Sequence, residues 1–263
     1  MIKLKKSLGQ NFLSDNNIIK KIIGLDNLKN RNIIEIGPGS GKLTEFIIKE
    51  KPKKLVLIEK DQRFYKLLKD KFIDHKFIEI HNKDILDFTF KENFLKDAII
   101  FGNLPYNIST QILAKFICIK EWPPFFKKII FMFQKEVADR ILSKTNSKEY
   151  GRISILTNFR LETMESFKIS KDCFFPKPAV DSKIIVFKPI NKSNYKIDNI
   201  KNLEKITQIF FSSRRKMINK PLSKIFDRYQ DISKKLNLKL NSRPSELSIE
   251  DYYKLTELYE KLN

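Results

Sequence analysis

The run Glu35-Ile-Gly-Pro-Gly-Ser-Gly41 places glycines at alternate positions between an apolar stretch, Asn32-Ile-Ile-Glu-Ile36, and a helical pattern that begins at Leu43. Glycine allows the tight turns that bring bare backbone N–H groups up to a ligand at a helix N-terminus, where the helix dipole favours electron-rich groups. Such a loop by itself is often only a turn. Two carboxylates change its meaning. Glu59 follows the next apolar run, Leu55-Val-Leu-Ile58, about 20 residues beyond Gly37, where an acidic side chain accepts ribose hydroxyls in nucleotide-binding α/β folds. Asp84 follows the third run and can accept from the amino group of an adenine lying in the same crevice. The loop reads G-x-G-x-G, not the dinucleotide G-x-G-x-x-G. With Gly37, Gly39, Glu59 and Asp84 together, S-adenosylmethionine fits better than NAD.

A second cluster supplies the chemistry. Phe101-Gly-Asn-Leu-Pro-Tyr106 closes the fourth apolar run and faces the same crevice. The exocyclic amine of adenine is a poor nucleophile because its lone pair is delocalised into the ring. The Asn103 side-chain oxygen and the Leu104 carbonyl can each accept one amine hydrogen, which favours the pyramidal geometry that methyl transfer requires. Pro105 fixes the turn and removes a competing donor. Tyr106 offers an aromatic face for an extruded base. A plain strand-end turn would explain Asn and Pro but not an aromatic residue beside a nucleotide loop. No strong base is needed, so positioning supplies most of the rate.

These residues need a scaffold that brings several strand ends to one edge. Between Asn32 and Phe133 short apolar runs alternate with helical patterns: Asn32–Ile36, Leu55–Ile58, Lys76–Ile80, Ala98–Phe101 and Ile129–Met132 as strands, Leu43–Glu50 and Gln62–Phe72 as helices. That alternation implies right-handed βαβ units and a parallel sheet covered on both faces. Phe167–Ile169 and Lys183–Phe187 are expected to add an edge hairpin. The composition shifts at Pro189-Ile-Asn-Lys-Ser-Asn194, and helical patterns alone follow, including Leu203–Phe211 and Tyr252–Leu262. The expected architecture is a doubly wound, Rossmann-like α/β methyltransferase sheet over 1–189 with a small all-helical C-terminal domain over 190–263.

Composition limits the partners. There are 52 basic and 31 acidic residues, a formal charge of +21, which suits a polyanion. That polyanion is nucleic acid or an anionic membrane surface, nucleic acid being favoured over the bland reading that lysine is abundant through coding bias; only nine of the basic residues are Arg, whose fork recognises phosphate better than Lys does. Cys118 and Cys173 lie far apart and His75 and His81 are the only histidines, so neither a disulfide framework nor a metal site is expected. The basic start lacks a signal peptide's apolar stretch, and no run is long enough to span a membrane. A soluble cytoplasmic protein is expected.

With these motifs in view, the chain closely resembles the bacterial small-subunit ribosomal RNA adenine dimethyltransferases, almost end to end. Lys6-Ser-Leu-Gly-Gln-Asn-Phe-Leu13 resembles that family's first motif, in which Asn11 and Leu13 would contact the cofactor. Glu35–Gly41 with Leu43-Thr44, then Glu59 and Asp84, match its loop, ribose and adenine contacts, and Asn103–Tyr106 continuing to Thr110 matches its catalytic motif. Phe174-Phe-Pro-Lys-Pro-Ala-Val-Asp-Ser182 resembles its late aromatic loop, which implies that Phe174 packs on the target base. Phe210-Phe-Ser-Ser-Arg-Arg-Lys216 and Arg243–Ser248 resemble signatures of its helical domain, with Arg214, Arg215 and Lys216 facing RNA. The resemblance further implies two methyl groups on each of two neighbouring adenines near the 3′ end of small-subunit RNA, and a monomer that binds a late assembly intermediate of the small subunit.

Ser213 departs from a frequent Gln, and Asn219-Lys-Pro221 from a basic-Asn-Ser run; Pro221 cannot continue a helix unbroken. The related antibiotic-resistance enzymes of large-subunit RNA share the fold and most motifs, but Leu104 and the Ser-Arg-Arg-Lys segment favour the small-subunit group. A nucleic-acid-binding factor without catalysis would be free to lose Asn103–Tyr106, and DNA adenine methyltransferases more often carry a second proline at the place of Leu104.

If lysines and arginines on phosphates supply most of the affinity, the logarithm of the RNA-binding constant falls linearly with the logarithm of salt concentration, with a slope of several units. Binding titrations at a series of salt concentrations measure it. A flat dependence would make the +21 charge compositional only.

Overall fold

The computed structural model describes residues 11–90 and 95–262; Lys6–Gln10 of the first motif lie outside them. The strands, in chain order, are β1 (Phe12–Leu13), β2 (Asn32–Ile36), β3 (Lys54–Glu59), β4 (Ile78–Asn82), β5 (Ala98–Asn103), β6 (Phe126–Gln134), β7 (Leu161–Ile169), β8 (Phe174–Phe175) and β9 (Ser182–Pro189). The helices are α1 (Asn16–Ile23), α2 (Lys42–Lys49), α3 (Gln62–Lys71), α4 (Ser109–Ile117), α5 (Lys135–Ile141), α6 (Arg152–Arg160), α7 (Ile200–Phe211), α8 (Asn219–Ser223), α9 (Tyr229–Lys235) and α10 (Ile249–Leu262). No helix among the described residues is long and apolar enough to cross a membrane.

The chain divides into two compact units. The first takes residues up to Lys115 with 123–138 and 163–189. It holds a seven-stranded sheet of order β4-β3-β2-β5-β6-β9-β7. Strands β2 to β6 are mutually parallel and β9 runs antiparallel to β6. The inner strands are Ile-, Leu- and Val-rich because both faces are covered: Ile33, Ile34, Val56, Leu57, Ile99 and Ile100 are all fully buried. The strand order reverses between β2 and β5, so the crevice at their carboxyl ends is the natural ligand position.

Several features differ from the sequence expectation, among them β7, which starts at Leu161 and not Phe167. The third strand starts at Ile78 and not Lys76, because the amides of His75 and Ile78 donate to the carbonyls of Phe72 and His75 and extend the turn after α3. The two-residue ribbon of β1 and β8 was not expected; it is too short to leave a period in sequence.

The second unit takes 116–122 and 139–162 besides 190–263, so it is larger than the segment beyond Pro189. Here α6 packs on α7 and α10, and Phe210 meets Tyr252 edge-on at 5.4 Å. Arg160, only 7% exposed, joins the three segments. Its Nη1 donates to the carbonyl of Ile117 at 2.8 Å and to that of Ile119, and its guanidinium lies 4.5 Å from the Trp122 ring. Trp122 Nε1 in turn donates to the Ile190 carbonyl at 2.7 Å. Two carbonyl acceptors and an aromatic face offset the cost of burying this charge.

Candidate active site

Gly37, Gly39 and Gly41 all have positive φ, at 64°, 55° and 77°. At Gly39 a side chain has no room: its Cβ would fall 2.2 Å from Phe12 Cε1. The Phe12 ring therefore lies against bare backbone, held edge-on by Phe64 at 5.3 Å. Gly41 is the left-handed N-cap of α2, whose first turn borders the pocket.

Glu59, at the end of β3, is 7% exposed. Its Oε2 accepts from the Gly39 amide at 3.0 Å and its Oε1 from the Asp61 amide at 2.8 Å. Burial pushes its pKa up, against the pull of those two amides. Each oxygen keeps a second lone pair, so the group can still accept ribose hydroxyls. Asp84 is more open. Burial acts to raise its pKa, but the Lys60 ammonium at 2.6 Å and the Leu86 amide at 2.9 Å outweigh that and leave it lowered. The Lys60 side chain that holds it is itself exposed.

Glu35 was not singled out from sequence as a site residue, yet it lines the pocket with Phe12, Leu13, Gly37 and Asn103. It is 2% exposed, and Thr44 Oγ1 donates to its Oε2 at 2.7 Å. Burial, reinforced by the nearby Glu59 charge, moves its pKa to about 8 despite that bond. A carboxyl group poised near neutrality on a pocket wall can receive a cationic group by releasing its proton. The signal available in sequence was an acidic residue inside an otherwise apolar strand.

Asn103 stands at the end of β5. Its Nδ2 donates to the Asn11 carbonyl at 2.8 Å. Because a carbonyl only accepts, this bond fixes which end of the amide is which and turns Oδ1 away from Asn11 as the acceptor. Asn11 thus contributes main chain to the site. Leu104 is buried, and the Pro105 carbonyl accepts from the Ile108 amide to close the turn. Tyr106, half-buried, hydrogen-bonds through its hydroxyl to Ser182 Oγ at 2.8 Å, which orients the ring.

Not every expected residue converges here. Phe174 pairs with Leu13 across the β1–β8 ribbon and is 4% exposed, inside the core with Ile184 and Val186. Its ring is not presented to a base in this structure, because strand alternation turns it inward and its neighbour Phe175 outward. Arg214–Lys216 lie beyond α7, which ends at Phe211, in a turn. The Arg214 guanidinium donates to the carbonyls of Ser147 and Lys148, so it braces its own unit. Arg215 and Lys216 are exposed. Arg140, Lys148 and Arg214 line an open basic cleft that the sequence had not marked. Among the described residues no group of three His, Cys, Asp or Glu is placed to hold a metal ion.

Comparison with known proteins identifies the family and the fold. Residues 1–261 match the family described as ribosomal RNA adenine dimethylase. The chain is 46% identical over 263 residues to the ribosomal RNA small subunit methyltransferase A of Pelagibacter ubique, covering 99% of this chain and 98% of that one. It superposes on a dimethyladenosine transferase from Plasmodium falciparum with a TM-score of 0.76 at 23% identity, covering 95% and 98% of the two chains. A 23S rRNA methyltransferase, ErmE, superposes with a TM-score of 0.67 at 22% identity, covering 95% and 99%. At such identities the two structures establish the shared fold.

The Glu35 environment makes a pH prediction. Its folded-state pKa, raised to about 8, lies above the usual glutamate value, so the folded state holds an extra proton between the two. Stability from this group is therefore full at acid pH and is lost as pH climbs to about 8. Glu35→Gln stays neutral throughout. Its melting temperature relative to wild type should rise between pH 5 and pH 8.5 and then level off; a difference independent of pH would mean that Glu35 is already ionised in the fold.

Proposed function

The chain belongs to the ribosomal RNA adenine dimethylase family, and from that premise we propose that it transfers methyl groups from S-adenosylmethionine to the exocyclic amines of two adjacent adenosines in the 3′-terminal hairpin of small-subunit ribosomal RNA. The small subunit is favoured over the large because the relative at 46% identity is named for it, whereas the likeness to ErmE is one of fold alone. The protein would act as a cytoplasmic monomer on the subunit or its assembly intermediate.

The donor set suits the cofactor. Glu59 would accept the ribose hydroxyls, Asp84 the adenine amino group, and the buried Glu35 carboxylate would face the ammonium of the methionine limb. Leu13 and the loop glycines would border it. When bound, the cofactor supplies an electrophilic sulfonium methyl. The observation that carries the reading is the Asn103 amide, locked by the Asn11 carbonyl with its oxygen turned away from Asn11. That oxygen and the Leu104 carbonyl would each take one hydrogen of the target amine and aim its lone pair along the transfer axis. Tyr106, fixed by Ser182, would stack on the extruded base. The amine proton becomes acidic only as the methyl arrives, so none of these residues needs to act as a strong base.

The test uses isotope-labelled cofactor with unmethylated small and large subunits, mapping the labelled base. Label on adenine N6 of small-subunit RNA is expected; label confined to the large subunit, or none, overturns the reading. Asn103→Ala should abolish transfer while the protein still co-sediments with small subunits. Arg215→Glu with Lys216→Glu should do the reverse, releasing the protein from subunits with cofactor binding intact. Arg214 is left in place because it braces the Ser147–Lys148 backbone. Normal methylation by Asn103→Ala would remove the proposed motif, and normal co-sedimentation of the double variant would make Arg215 and Lys216 a solvated surface.

A further inference from the structure

We infer that Phe175 is a stacking platform for the nucleobase that flanks the target adenine in the RNA substrate, a role that rests on the functional reading above. A lone exposed phenylalanine means little, since isolated apolar side chains are common on surfaces. What distinguishes Phe175 is where it is mounted and how firmly.

In the β1–β8 ribbon Phe12 pairs with Phe175 and Leu13 with Phe174. Directly opposed residues of an antiparallel pair project from the same face, and successive residues from opposite faces. Leu13 and Phe174 share the core face, at 6% and 4% exposure. Phe12 and Phe175 share the other. On that face Phe12 lies against Gly39 and lines the pocket with Asn103, while Phe175 is 68% exposed. Phe175 thus projects from the same ribbon face as Phe12, one strand away from the residue that lies on the glycine loop and lines the pocket.

The mount is rigid. Ser14 donates to the Cys173 carbonyl from both its amide, at 2.8 Å, and its Oγ, at 3.0 Å. The Lys171 amide donates to Asp181 Oδ1 at 3.0 Å, and Asp181 in turn accepts from the Lys135 amide through its carbonyl. The next residue, Ser182, is the one that holds Tyr106. The half-buried Tyr106 ring and the exposed Phe175 ring are therefore fixed to one framework, and a ring held on a pre-ordered strand loses little freedom when it binds. Lys171 and Lys177 flank it in sequence, Lys177 paired with the exposed Asp172 carboxylate. Aromatic faces interleaved with lysines suit unpaired nucleic acid, where stacking contributes about 1–3 kcal/mol per base. Extrusion of the target adenine uncovers the face of the adjacent base, and Phe175 is placed to cover that face as Tyr106 takes the target itself.

The test compares wild type with Phe175→Ala and Phe175→Trp. Phe175→Ala should raise the KM for small-subunit substrate roughly 5- to 100-fold, with kcat changed less and cofactor affinity, by calorimetry, unchanged. Phe175→Trp should restore KM. A hairpin RNA carrying 2-aminopurine beside the target adenine should be quenched on binding wild type and Phe175→Trp but not Phe175→Ala. An unaltered KM and equal quenching for Phe175→Ala overturn the assignment while wild-type methylation upholds the functional reading. Loss of cofactor affinity in both variants would show a structural role instead. If wild type labels neither subunit, the functional reading fails and takes this assignment with it.

Discussion

One buried carboxylate organises the site. Glu59 is drawn into the sheet at the end of β3, where burial opposes its charge, and it persists there because the amides of Gly39 and Asp61 converge on its two oxygens. That bond holds Gly39 in its left-handed turn, and the missing Cβ lets the Phe12 ring close over it. Through Phe12 the order passes to β1, from β1 to β8, and through the Asn11 carbonyl to the Asn103 amide. An acid that holds backbone amides in the free protein is also the natural acceptor for a ligand's hydroxyls, because its lone pairs exceed the donors the protein brings to it.

The same economy shapes the reacting end. An amide side chain can present either its oxygen or its nitrogen, and the wrong end would offer a donor to an amine that needs acceptors. Bonding the nitrogen to a backbone carbonyl settles the matter without any charged group. A neutral acceptor is appropriate, since a base strong enough to deprotonate an aromatic amine would have to be held against burial and against Glu35 and Glu59 nearby. In the proposed reaction the site would orient a weak nucleophile, and the bound cofactor would supply the driving force.

Much of this was legible in sequence, for identifiable reasons. Parallel strands buried on both faces leave unbroken apolar runs, and a glycine loop at a strand end leaves glycines and acids at set distances, so the sheet could be placed, with Glu59, Asp84 and Asn103–Tyr106 at or just past its strand ends. What depended on tertiary contact could not. Phe12–Leu13 and Phe174–Phe175 form a strand pair only because 159 positions of chain fold back between Ser14 and Cys173, and with a strand of two residues there is no period to show which phenylalanine faces inward. Arg214 read as a phosphate ligand because its use as a brace depends on the carbonyls of Ser147 and Lys148, far away in the chain. The helical unit was underestimated because Arg160 and Trp122, remote in sequence from Pro189, anchor its other segments.

The central claim is that Glu59 both holds the glycine loop and receives the cofactor, and calorimetric titration of S-adenosylmethionine into the Glu59→Gln variant tests it most directly. Glutamine keeps the shape but turns a donor toward one of two N–H groups, so affinity should fall by about 1–3 kcal/mol, the cost of unpaired buried polar groups. The unliganded variant should also melt at a lower temperature, as the Gly39 or Asp61 amide loses its partner. Wild-type affinity in Glu59→Gln would contradict the account, because a neutral side chain would then serve the loop and the ligand equally well.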